Sequence, residues 1–111
     1  MTGKPKKITG KFNITEMNEW DEEDINLVGQ GFIEIEPDGT GSFQFCAVTG
    51  YIDCRWTNRD GKPGFEFTWE GNDECDPVSG RGWAFLDGNE LRGRLYFHMG
   101  DDSAFVAQRA P

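Results

Sequence analysis

Apolar and polar residues alternate over short runs through most of this chain, and clusters of Gly, Asp and Pro interrupt the alternation about every dozen residues. Successive side chains of a strand point to opposite faces, so this period fits β-strands joined by turns and leaves little room for long helices. In "FEFTWE", Phe65, Phe67 and Trp69 fall on one face and Glu66, Thr68 and Glu70 on the other. Eight such segments are expected, roughly at 8–17, 29–36, 40–47, 51–57, 64–70, 80–86, 91–99 and 103–109. Their apolar faces carry Phe43, Phe45 and Ala47, then Ile52, Cys54 and Trp56, then Leu91, Gly93, Leu95, Phe97 and Met99. Asp53, Arg55, Glu34, Glu36, Arg92 and Arg94 take the opposite faces, which suits a solvated exterior with cross-strand ion pairs.

One greasy and one charged face predict an all-β fold. Nearly all connections read as sequential hairpins, so an eight-stranded antiparallel up-and-down meander barrel is preferred to a sandwich, and closure also removes exposed edges. The 111 residues suit a single domain, 1–111, with a basic arm at 1–7 expected to fray. Nine Phe, four Trp and fifteen Gly agree with β-structure, since aromatics suit pleated surfaces and glycines suit turns.

Twenty acidic against eleven basic residues give a net charge of −9, which repels phosphate backbones and argues against nucleic acid as a partner. No secretory signal and no membrane-length apolar run is apparent, so a soluble, cytoplasmic protein without membrane contact is expected. Cys46, Cys54 and Cys75 match no zinc or redox spacing, as reduced thiols would not. A symmetric homodimer is compatible with a small β domain.

Three compact connections carry Asp-Gly signals: "EPDGTG", "TNRDGKPG" and "LDGNE". In a meander these share one end, which places "NEWDEEDINLV", "VTG", "GNDECDPVS" and "GDDS" together at the other. The stretches 16–24, 70–76 and 101–102 hold twelve of the twenty acids. Long charged loops at one mouth of a rigid scaffold are a usual place for function.

Gly10-Lys11-Phe12 at the start and Arg109 near the finish, framing eight meandering strands, resemble the calycins, the lipocalin and avidin-type barrels. In those families a Gly-x-Trp near the start of the first strand packs under an Arg or Lys of the last strand; here Phe replaces Trp. The resemblance covers roughly 8–109 and implies a cavity for a small molecule. The chain also resembles many small uncharacterised bacterial proteins, a likeness that implies no activity.

A short helical segment near 20–28 is expected, with Asp21 as its cap and Glu22, Glu23 and Asp24 in the first turn. Ile25 and Val28, behind Trp20, would pack onto the barrel mouth as a plug, or as a lid over a ligand. Asp73, Glu74 and Asp76 lack EF-hand spacing and read as a solvated loop, so no metal and no cofactor is expected. His98 is the only histidine and has no identifiable catalytic partner, so no catalytic residues are assigned. Aromatic rings beside carboxylates suit a cationic amine, although Trp69 also suits the core and Trp83 its outer cover.

The leading expectation is a non-enzymatic barrel that binds a small neutral or cationic ligand at the loop-rich end, through Trp20, Tyr51, Trp69, Trp83 and His98. The alternative is an acidic interaction module docking on a basic protein partner, and an enzyme comes third. A filled interior favours the interaction module and an open aromatic cavity the ligand.

Overall fold

The computed structural model describes residues 6–111, so the first five residues of the expected basic arm lie outside it. Eight strands, β1 (Gly10–Met17), β2 (Phe32–Ile35), β3 (Thr40–Phe45), β4 (Val48–Arg59), β5 (Lys62–Asp73), β6 (Asp76–Asp87), β7 (Glu90–Phe97) and β8 (Asp102–Arg109), pair in chain order, and β1 closes on β8. Every pairing is antiparallel, so the all-β meander barrel is present. One short helix, α1 (Glu22–Ile25), stands between β1 and β2. No helix among the described residues is long and apolar enough to cross a membrane.

Inside the barrel, one strand of small residues faces one of large rings. Phe65, Phe67 and Trp69 of β5 lie directly opposite Ala84, Gly82 and Gly80 of β6. An eight-stranded barrel has a fixed and narrow interior, so bulky side chains on one strand need small ones beside them. A Cβ on Gly82 would stand 2.4 Å from the Phe67 ring, and one on Gly80 would stand 1.7 Å from the Tyr96 carbonyl oxygen. Phe43 fills the place left by Gly50 in the same way. The wall is completed by Phe12, Ile33, Ile35, Leu91, Phe105 and Ala107, all buried.

The end that carries Asp-Gly turns is sealed. Arg109 lays its guanidinium 4.6 Å from the centre of the Phe12 ring and donates from Nη1 to the Thr9 carbonyl at 3.0 Å. Lys7 Nζ donates to the Pro37 carbonyl at 3.0 Å and lies over the Trp56 ring, so the chain is held from that point and buries Ile8.

Several boundaries differ from the expected ones. The acidic stretch 70–80 is no loop: β5 and β6 continue to Asp73 and Asp76, which pair across a two-residue turn, Glu74-Cys75. Pairing of Val48–Gly50 with Gly71–Asp73 holds this hairpin on its other side and overrides the weak strand propensity of Asn, Asp and Glu. With twelve residues each, β4, β5 and β6 reach about 40 Å. They draw the molecule out to 46 × 26 × 22 Å.

In β1 the register against β8 slips at Thr15, so Phe12, Ile14 and Met17 are buried while Glu16 is exposed. A bulge of this kind shifts the alternation by one residue. The helix covers only Glu22–Ile25 rather than 20–28, and Met99 leaves the inward face to stand exposed in the β7–β8 turn.

Candidate binding rim

At the other end the chain turns four times: through α1, at Cys46-Ala47, at Glu74-Cys75 and around Met99. Asp21 caps α1 as its sequence position suggests, with Oδ1 accepting from the Asp24 amide at 3.0 Å. Ile25 is buried at the foot of the helix. Asn26 then ends it, because its Oδ1 accepts the Gly31 amide at 2.8 Å and folds the chain back toward β2. Val28, expected to pack onto the mouth, is therefore left 66% exposed, as is Leu27.

Trp20 covers the barrel mouth. Its ring lies 5.2 Å from that of Phe45 and 6.3 Å from that of Phe97, and Phe97 meets Trp69 edge-on at 5.1 Å. Trp20, Phe45 and Phe97 line an open depression of about 490 Å³ together with Asp24, Asp73 and Asp101. Two of these carboxylates act on a common neighbour: the Cys46 thiol is pushed up to about 11, first by burial and then by Asp24, Asp73 and the nearby Asp21. Cys46, Cys54 and Cys75 are all unpaired, and Cys54 lies far down β4 opposite Phe67. Among the described residues no group of three or more His, Cys, Asp or Glu side chains is placed to hold a metal ion.

The turns here have an uncommon backbone. Cys46, Glu74 and Met99 take φ of 52°, 56° and 57°, a left-handed conformation that costs a side chain with a Cβ about 1–2 kcal/mol relative to glycine. The Glu74 amide donates to the Ala47 carbonyl at 3.0 Å, which ties two of these turns together. Asp73 and Asp76 pair directly opposite one another, a like-charge arrangement that is itself unfavourable.

The five residues singled out in the sequence do not meet at one mouth. Trp20 and His98 line the rim depression. Tyr51, the edge of Trp69 and His98 line a second concavity of about 620 Å³ on the outer wall. Trp83 lines a third, of about 650 Å³, farther along that wall. Trp69 is an inward residue, 3% exposed, whose Nε1 donates to the Tyr96 carbonyl at 3.2 Å. His98 is exposed, with its amide donating to the Ser79 carbonyl.

Sequence reasoning missed Leu27, Val28 and Met99 as surface groups. The signal available for the first two was Asn26, a helix-stopping residue four places after Glu22. No protein family, curated protein or solved structure matches the chain.

Proposed function

We propose that this protein is a non-enzymatic docking module whose rim receives a basic segment of a partner protein. The segment seats an apolar anchor over Trp20 and Phe97 and places its cations among Asp24, Asp73 and Asp101. The observation that carries this reading is an acidic depression with an aromatic floor, lined by the 66% exposed Leu27, with Val28 and Met99, 66% and 95% exposed, on chain segments that adjoin its lining residues Leu27, His98 and Gly100. Carboxylates alone would stay solvated. Carboxylates beside exposed apolar groups and a ring floor supply both a core that sheds water and a charged border.

The barrel interior supports the same choice. Phe12, Phe45, Phe65, Leu91 and Ala107 are fully buried along it, which favours an open surface over an internal cavity as the place of binding. The likeness to calycins is drawn at the level of topology and closure, with Phe12 under Arg109 standing where those families place Trp under Arg or Lys. A cytoplasmic location is part of the proposal, and three unpaired thiols agree with it.

A display library of Lys- and Arg-rich peptides carrying Leu or Met, screened on the folded protein, tests the reading. Selected peptides are expected to lose at least about tenfold in affinity between roughly 50 and 500 mM salt. The same loss is expected when Asp24, Asp73 and Asp101 are changed together to Asn. Selection of salt-insensitive or acidic peptides, or of none, would refute it.

A further inference from the structure

The outer wall of β4–β7 carries two concavities, which meet the rim depression only at Phe97 and His98. The two concavities on this wall share Asp53, Thr68, Arg81 and Tyr96, so they form one open trough across the strands. At its rim-side end stands Tyr51, 69% exposed, in register with Glu70. Arg81 sits at the middle, between Thr68 and Tyr96 in the strand register. The far end is closed by Trp83, whose ring is covered by Arg59 at 4.0 Å and whose Nε1 lies 3.4 Å from the Tyr96 hydroxyl.

The charges along the trough cancel locally. Its lining holds Arg55, Arg59 and Arg81 against Asp53, Glu66 and Glu70, and Arg55 holds Asp53 at 2.7 Å. Arg81 and Glu70 have no ion-pair partner within 4.0 Å among the described residues, and Arg81 lies diagonally between Glu66 and Glu70. An anion entering there would meet two carboxylates and a cation would meet the Arg81 guanidinium. The strand backbone beneath is consumed by pairing on both sides of β5 and along β6 from Gly80, which leaves an extended peptide no edge to join. What remains on offer is a set of side-chain donors and acceptors, Arg81, Glu70, Thr68 and Ser79, beside exposed tyrosine rings.

We infer that this trough binds a short neutral oligosaccharide. Such a ligand is uncharged and rich in hydroxyls that both donate and accept, which suits an Arg81–Glu70 pair of opposite sign without internal partners. The C–H faces of its rings stack on Tyr51 and Tyr96, both exposed, the Tyr96 hydroxyl accepting from Trp83 Nε1. Exposure of the lining makes this weak, reversible binding, and the absence of net charge makes it insensitive to salt.

Screening the protein on an array of neutral and acidic glycans, followed by NMR titration with the best neutral tetrasaccharide, tests this. The expected result is a neutral ligand that shifts the Trp83 indole and Thr68 amide signals, with affinity changing less than about twofold between roughly 50 and 500 mM salt. Tyr51→Ala and Arg81→Ala, both at exposed positions, are each expected to weaken it at least about tenfold with the fold unchanged by amide spectra. Changing Asp24, Asp73 and Asp101 to Asn leaves it intact, which separates this trough from the docking rim. A silent array overturns the inference, as does binding confined to sulfated or uronic-acid glycans, or a neutral ligand indifferent to both substitutions.

Discussion

The two ends of this barrel solve the same turning problem in different ways. At the sealed end, Gly39, Gly61 and Gly88 take the left-handed positions at φ of 90°, 82° and 66°, and Asp60, a residue type that tolerates this region, joins Gly61 in its turn. At the rim, Cys46, Glu74 and Met99 hold equivalent conformations with full side chains. The sealed end also buries Phe12 and Ile8 and is latched by Arg109, whereas the rim exposes Leu27, Val28 and Met99 among carboxylates. One end is arranged for stability. The other accepts strain, repulsion and exposed apolar surface, a combination that accompanies binding sites more often than it accompanies packing.

The largest test compares the two aromatic closures. Phe12→Ala removes a fully buried ring beneath Arg109 and is expected to cost about 3–5 kcal/mol in chemical denaturation. Trp20→Ala removes a partly exposed ring and is expected to cost less than half as much, while abolishing binding of the selected basic peptides. Equal losses of stability would show that the rim is as much a structural element as the sealed end.

That contrast was only partly legible beforehand. Period-two alternation and the Asp-Gly signals sufficed for the meander and the sorting of turns to two ends, because pleat and turn chemistry are local, whereas closure was a preference over a sandwich that only the β1–β8 pairing decides. The long β5–β6 hairpin was not legible, since Asn72, Asp73 and Asp76 look like a loop until Val48–Gly50 pairs alongside them. The slip at Thr15 also depends on a partner distant in sequence, β8, whereas the exposure of Val28 follows from a local bond, Asn26 to the Gly31 amide, that alternation does not reveal. Among the aromatic candidates, alternation within each strand already suggests that Trp69 faces in and Trp83 out, but only the barrel shows that Tyr51 and Trp83 line separate concavities of the outer wall.

Turn chemistry itself yields effects of opposite sign. Gly61→Ala has open space around its Cβ, so its cost, about 1 kcal/mol, arises from φ alone. Glu74→Gly relieves the same conformation at the rim and is expected to stabilise the fold by about 1 kcal/mol while weakening peptide binding. If Glu74→Gly destabilises, the rim turns are not strained and the comparison fails. A smaller gain, a few tenths of a kcal/mol, is expected from Asp76→Asn, because it removes a like-charge pair opposite Asp73. That gain should shrink when the melts are repeated at high salt.

The smallest effects separate the two ends by pH. At the sealed end, the Thr40 hydroxyl and amide hold the Asp38 carboxyl below its ordinary value. A carboxyl depressed in the folded state stabilises above its unfolded value, and the contribution is lost as pH falls through the folded one, so Asp38→Asn should flatten the acid limb of stability. At the rim the Cys46 thiol is raised from 9.0 to about 11. Here the neutral form is favoured by folding, so stability is complete below about 9 and declines as pH rises toward 11, when the unfolded chain has released a proton that the folded chain retains. Changing Asp24 and Asp73 to Asn is expected to lower the Cys46 value, seen as faster thiol alkylation at a given alkaline pH. The buried Cys54, also raised to about 11 but by its own burial and Asp53, should not move. Movement of both thiols would mean that the rim charge acts on the whole barrel rather than on its own end.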